Sequence, residues 1–268
     1  GYRLDPDAPE AWRLSGLSPA TQVTGPAREV LGETVRGTLS NCGGGLTPWG
    51  TVFTCEENHR YHVHEGLGSR NGRPGAVPSR VANGGFSLPG LRAEHYGWVV
   101  EVDPRDPHWL PRRHTALGRM RHESAVVQAA PGESLRVYMA EDRAVGGIWR
   151  YTSKHPWHPS MSRKAASRLL EEGRLEQANL QTNRWILLDL STPLHKEATL
   201  LVQEQGASWE VAADFLEALK TAKTLSDLYE NKAALLVDAS LAGLLVGGSP
   251  LGRPEGCVWI ENSQKPGK

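Results

Sequence analysis

Long apolar runs are missing from this sequence. No stretch of about 18 consecutive apolar residues occurs, so nothing reads as a membrane-spanning helix. Charge of one sign is not in excess either. Thirty Lys and Arg balance 30 Asp and Glu, which leaves no basic field to gather nucleic acid or an anionic membrane surface. Cysteine is scarce. Cys42, Cys55 and Cys257 make an odd set of three, which does not describe a disulfide framework, although one pair can still form in an oxidising compartment. Several chemistries lack their motifs. There is no G-x-S-x-G, no P-loop and no H-E-x-x-H. The spacing from Cys42 to Cys55 is not the paired C-x2-C of a structural zinc site. The opening GYRLDPDAPEAWRL has no charged-then-apolar signal pattern. It begins with Gly, not Met, as a processed chain or a fragment also would.

Turn formers and tryptophan are abundant instead. The 268 residues contain 29 Gly, 18 Pro and 9 Trp, a balance that favours short strands and tight connections over a helical bundle. The length is ample for a buried core. The densest stretch is Asn41 to Asn58, NCGGGLTPWGTVFTCEEN. It packs a thiol, three glycines, a Thr-Pro-Trp-Gly turn, a β-like run and two carboxylates.

Residues 1–33 read as irregular, with one strand near Ala20 to Thr24. From 34 to 192 the chain reads as β-rich blades or hairpins. Strands are expected at Thr51 to Thr54, Tyr96 to Val102, Leu135 to Ala140, Gly146 to Tyr151 and Arg184 to Leu190. His59 to Gly90 reads as a long loop. The stretch 193–246 reads as a helical insertion. Val211, Phe215, Leu216, Leu219 and Ala222 have helical spacing there, with Ser208 as the expected N-cap. Residues 247–268 read as the start of a further blade. The fold class is therefore mainly β, an antiparallel domain of repeated blades or hairpins with helices in the last third.

Acids sit beside strands or glycine turns at Glu56-Glu57, His122-Glu123, Glu141-Asp142 and Arg253-Pro254-Glu255. Acids gathered at strand ends are what hard cations need, and a thiolate at Cys42 adds a softer ligand suited to a transition metal. Arg253 offers the planar fork that grips phosphate. Each residue has a plainer explanation. Strand-end acids usually sit in solvent, a cysteine is usually a small buried hydrophobe, and Gly43 to Gly45 can be a flexible turn. His122 reads as a structural hydrogen-bonder. His62 and His64 share a strand face if HRYHVH is extended and could then bind a metal, but a solvated polar loop is the plainer reading. Trp49 and Trp98 read as core.

The motifs in series are more specific than any one. NCGGGLTPWGTVFTCEEN, GWVVEVDP, TALGRMRHESA, VYMAEDRAVGGIWRYTS and GRPEG, in that order and spacing, resemble the PhoX-type alkaline phosphatases from about residue 30 to 256. The resemblance implies a β-propeller with added helices, exported to the periplasm or outside the cell. It implies a phosphomonoesterase acting on small phosphate esters through a cluster of Fe(III) and Ca2+. By the same resemblance Cys42 ligates iron, Glu123 bridges cluster metals, Glu255 is a further metal ligand, and Glu57 and Asp142 bind calcium. Arg253 contacts phosphate as the catalytic arginine. No nucleic-acid or membrane partner is implied, and the chain is expected to be a monomer.

The sequence departs from the pattern at Ala140-Glu141-Asp142, where the family has G-D-D. Only twelve residues follow Gly256, whereas a blade takes about 40–45 residues in common repeats. The expectation is an incomplete ring, from a fragment or a truncated member. The alternative function is a calcium-binding propeller-like module without catalysis. A propeller enzyme of lactonase or synthase type with one calcium would leave Cys42 without a role.

Overall fold

Short alternating segments pair into two sheets in the computed structural model, which describes residues 20–74, 91–106 and 108–260. The first sheet holds β1 (Ala20–Thr24), β2 (Thr34–Arg36), β3 (Asn41–Leu46), β4 (Val52–Glu56), β5 (Val99–Val102) and β6 (Arg112–His114). Its order is β2-β1-β6-β5-β4-β3, with only β1 and β6 parallel. The second sheet is an antiparallel meander in chain order: β7 (His122–Gln128), β8 (Ser134–Glu141), β9 (Ile148–Pro156), β10 (Gly173–Asn179) and β11 (Arg184–Leu187). The architecture is thus mainly β. The described residues contain two sheets and no closed ring.

Six α-helices lie among the described residues: α1 (Arg28–Leu31), α2 (Arg163–Arg168), α3 (Lys196–Gln205), α4 (Ala213–Leu219), α5 (Lys232–Val237) and α6 (Ala239–Leu245). Every residue of α6 is buried, as are Ala233 to Val237 of α5, the signature of helices enclosed on all sides. They join the larger core, with Trp149, Leu175 and Phe215, to a smaller one built on Val23, Tyr96 and Trp98. The apolar positions expected of a helix over 208–223 do pack inward, but the helix begins late. Glu210 has a positive φ of 59°, and Ala212 precedes the first turn. Ser208 instead donates to the Gln205 carbonyl at 2.7 Å, just past α3. Strand β10 escaped the sequence reading because GRLEQAN is polar, although Leu175 to Ala178 are buried. His59 to Tyr61 form a 3-10 turn, so HRYHVH is not extended. Residues 75–90 of the expected loop lie outside the described residues, as do 1–19 and 261–268. No strand forms over 251–260. No helix among the described residues is long and apolar enough to cross a membrane.

The glycine run is a strand, not a turn. β3 and β7, the edge strands of the two sheets, lie backbone to backbone. A Cβ on Gly43 would stand 2.6 Å from the Glu123 carbonyl oxygen, and one on Gly45 would stand 2.2 Å from that of Ala125. On Gly44 it would meet the Phe53 carbonyl oxygen of β4 at 1.9 Å. Side chains here would hold the sheets apart. Gly45→Ala is expected to lose about 1–3 kcal/mol of stability by urea denaturation. Gly252→Ala, where a Cβ meets nothing within 4 Å, should stay within about 0.5 kcal/mol of wild type. Equal stability of the two variants would remove the strand contact as the reason for the glycines.

A buried carboxyl ties the helices to the loop that follows β4. Asp238, between α5 and α6, accepts hydrogen bonds from Gly68 N at 2.9 Å and the Tyr229 hydroxyl at 2.7 Å. Burial pushes its pKa up to about 7. The folded protein therefore keeps a proton that the unfolded chain releases near its ordinary value of about 4. The stability that this proton contributes is present at low pH and is lost as pH rises from about 4 to about 7, by at most about 1.4 kcal/mol per pH unit. Asp238→Asn keeps both acceptor contacts and removes the titration. Its stability relative to wild type should climb across that window, as measured by urea midpoints at pH 5, 6, 7 and 8; a constant difference contradicts the assignment.

Candidate active site

Three residue pairs lie at strand ends, Glu56-Glu57, His122-Glu123 and Glu141-Asp142, and the two members of each face in different directions. In the first doublet Glu56 is wholly buried and Glu57 is the neighbour that reaches the site. Glu56 Oε1 accepts from Thr38 Oγ1 at 2.8 Å, Leu39 N at 3.0 Å and Arg113 Nη2 at 3.1 Å. Its Oε2 accepts from Gly97 N at 2.8 Å, Trp98 N at 3.0 Å and Arg113 Nη1. In the second, His122 is buried and donates from Nε2 to the Gly118 carbonyl at 2.9 Å, with its pKa lowered to about 4 by burial. Glu123 then faces Cys42. In the third, Glu141 lies in the core, held by Ser240 and by Trp149 Nε1 at 3.3 Å, while Asp142 turns to the site. His122 is thus the structural residue expected. Trp49 and Trp98 are core, donating to Glu101 Oε1 at 2.7 Å and the Glu94 carbonyl at 2.9 Å.

Two β-bulges aim the central pair. The register of β3 on β4 slips between Asn41 and Gly44, and that of β7 on β8 slips between His122 and Ser124. Cys42 and Glu123 fall inside those slips, where a bulge turns a side chain out of the regular alternation. Cys42 Sγ comes 3.1 Å from Glu123 Oε1. One ligating atom each from Cys42, Glu57 and Glu123 lie within 4.8 Å of one another. Glu57 and Asp142 lie close enough that each shifts the other's acidity, and Asn58 Nδ2 donates to Glu57 Oε2. Asp142 continues the line to Arg253 through an ion pair on Oδ2, and its Oδ1 is buried without a hydrogen-bond partner. Glu255 stands at the end, with Oε1 3.7 Å from Arg253 Nη2. Its carbonyl also accepts from Ser124 Oγ at 3.5 Å, but its carboxylate is not part of the Cys42–Glu57–Glu123 group.

Arg253 and Glu255 arrive on an irregular strap after α6. Leu251 N donates to the Gly146 carbonyl at 2.8 Å and Arg253 N to that of Arg143 at 3.0 Å. Cys257 N donates to Ser124 Oγ at 2.8 Å, and Trp259 stacks on Tyr138 with ring centroids 5.7 Å apart. Ser124 and Asn58, which sequence reasoning passed over, each directly follow a singled-out glutamate.

Crowded negative charge shows in the acidities. The hydrogen bond to Glu123, then partial burial, push the Cys42 thiol up to about 11 although its residue is exposed. Burial, then the neighbouring Asp142 carboxyl and the charge of Glu123, push Glu57 up to about 7. The Arg253 hydrogen bond holds Asp142 below the ordinary carboxylate range. Carboxylates close enough to push up the Cys42 thiol and Glu57 suit a multiply charged cation, which replaces repulsion with attraction.

The profile of the family described as alkaline phosphatase PhoX matches residues 6–265. The chain belongs to that family. A solved structure, Pseudomonas fluorescens PhoX in complex with vanadate, a transition state analogue, superposes with a TM-score of 0.59 and 27% identity. The match covers 90% of this chain and 42% of that one, so this family member spans less than half the length of its structural relative. No curated protein matches the chain.

The geometry makes Cys42 an exposed thiol that Glu123 keeps protonated. In chelator-treated protein, Glu123→Gln should speed alkylation of Cys42 by iodoacetamide at pH 8 by roughly tenfold, because the thiolate is the nucleophile. Peptide mass mapping separates Cys42 from Cys55 and Cys257. An unchanged rate would show that Glu123 does not govern the thiol.

Proposed function

We propose that the chain is a metal-dependent phosphomonoesterase of the PhoX type, its site built at the seam of two neighbouring propeller blades. The observation that carries this is the convergence of Cys42, Glu57 and Glu123 within 4.8 Å, with Asp142 and Arg253 next in line. The family match and the vanadate-bound relative support a phosphoryl-transfer reading. The strand order supports the blades. β3 to β6 and β7 to β11 are successive antiparallel meanders whose first strands lie together, as the inner strands of adjacent blades do.

The donor set fits a mixed cluster. Cys42 supplies the soft ligand suited to iron, and Glu57, Glu123 and Asp142 supply oxygens suited to calcium. Such metals neutralise phosphoryl oxygens and hold the ester in line. The chain's own residues do the rest. Arg253, with its side chain 63% exposed, binds the transferring group with its guanidinium fork and stabilises charge developing there. Asp142 holds that guanidinium until the ester arrives, and Asn58 orients the Glu57 carboxylate. Glu255, 3.7 Å from Arg253, would serve as a further ligand. No side-chain nucleophile is assigned, in keeping with the missing serine motif. Export to the periplasm or beyond, and action as a monomer on small phosphate esters, follow from the same reading.

The second reading is a calcium-binding module without catalysis, favoured by the separation of Glu255 from the three-residue group. Elemental analysis distinguishes the two, since iron and calcium together support the enzyme and calcium alone supports the module. For the enzyme, exhaustive chelation should abolish hydrolysis of p-nitrophenyl phosphate. Glu123→Gln and Glu255→Gln should each lower kcat/KM by at least about 100-fold, roughly 2.7 kcal/mol of transition-state stabilisation. Full activity after metal removal, or wild-type rates in both variants, would overturn the proposal.

A further inference from the structure

Arg253 has a pinned backbone and an exposed side chain. Its φ is +57°, a left-handed conformation that a non-glycine residue keeps only when its surroundings hold it. The hold is visible in its N–H, which donates to the carbonyls of Arg143 at 3.0 Å and Leu251 at 3.1 Å. Beyond the backbone the side chain is 63% exposed, whereas that of Asp142 is 6% exposed. Two carboxylates flank the guanidinium. Asp142 holds it in an ion pair, and Glu255 stands 3.7 Å away as a second partner. Nothing would hinder even a Cβ on the preceding Gly252, so the space beside the strap is open.

Asp142 is also the acid that links Arg253 to Glu57 and so to the thiol group. Its Oδ1 is buried without a partner, and its Oδ2 is taken by the arginine. A cation drawing on both oxygens of Asp142 meets the guanidinium on one of them. Two positive charges sharing one nearly buried carboxylate repel, and each weakens the other's hold.

We propose that Arg253 and a cation compete for Asp142, so that an oxyanion of the phosphate class, by drawing the arginine away, strengthens cation binding at the same site. This rests on the metal-dependent reading above and adds a regulation to it. Arg253 acts as an exchangeable counter-ion, seated on Asp142 when no oxyanion is present and on the oxyanion when one is. Substrate and cation binding are then coupled, and linkage makes the coupling reciprocal.

Calcium affinity tests the coupling without any turnover. The full chain is stripped with chelator and titrated with calcium by calorimetry, with and without phenylphosphonate, a non-hydrolysable phosphate-ester mimic. In wild type, saturating phenylphosphonate should tighten calcium binding about fivefold, the lower range of site-to-site coupling. Arg253→Ala should bind calcium about fivefold more tightly than wild type with no phosphonate present, and the added tightening by phosphonate should shrink. This gain is opposite to the loss expected if Arg253 merely supported the site. In an Asp142→Asn background, Arg253→Ala should change calcium affinity no further. Calcium binding by wild type with equal or weaker affinity in Arg253→Ala overturns the exchange alone. No calcium binding by wild type overturns the metal-dependent reading beneath it, and the exchange with it.

Discussion

The close approach of two backbones is the constraint on which the site depends. β3 lies on β7 so tightly that a methyl group on Gly43 or Gly45 would overlap a carbonyl oxygen of the other strand. Hydrogen bonding within each sheet does not require that contact. It requires only that the edge strands carry no side chain where they meet. Cys42 precedes the first of these glycines, and Glu123 is the residue whose carbonyl Gly43 faces. The 3.1 Å separation of thiol and carboxylate is therefore set by main-chain contact. A site positioned by packed backbone has less freedom to drift than one positioned by long side chains.

A second constraint fixes which acids face the site. Glu56, His122 and Glu141 are buried and hydrogen-bonded, and Glu57, Glu123 and Asp142 follow them. The first member of each doublet locks the register of its strand end, since a slip by one residue would exchange the inner and outer side chains. Glu56 shows how firmly. Its carboxylate and Arg113 are both fully buried, an arrangement that is costly unless the remaining lone pairs are filled. Four further donors, from Thr38, Leu39, Gly97 and Trp98, fill them. Those donors lie before β4 and at the entrance to β5, so one carboxylate joins three segments of the first sheet directly behind Glu57.

Much of this was legible in the sequence, but not its causes. The doublets, the thiol, the glycine run and the R-P-E segment all stand out, and the strands near Ala20, Val52, Val99, Leu135 and Ile148 follow from β-branched content. The glycines read as a turn because three in a row have no strand propensity. Only the partner strand, 80 residues away in sequence for Gly43 and Glu123, explains them as strand. The bulges at Cys42 and Glu123 leave no local signature, because a bulge is a relation between two strands. The polar composition of β10 hid a strand whose inner face is covered by helices. Glu255 was grouped with the other acids by motif, yet the structure attaches it through Arg253. Motif order does not report which of two neighbouring charges makes the contact.

The strap separates the rigid part of the site from the adjustable part. Cys42 and Glu123 stand on strands, and Glu57 directly follows one, with the strand contact and the Glu56 cluster holding them. Arg253 and Glu255 stand on irregular chain, held by a few backbone hydrogen bonds and the Trp259–Tyr138 stack. Segments with few such bonds open at lower free energy than core strands. Soft attachment suits residues that must meet a ligand entering from solvent, and firm attachment suits residues that must hold like charges together against repulsion. Asp142 lies on the boundary between the two, its main chain fixed to the Arg121 carbonyl at 3.0 Å and its carboxylate shared with Arg253. Whatever binds that carboxylate reports to both parts of the site at once.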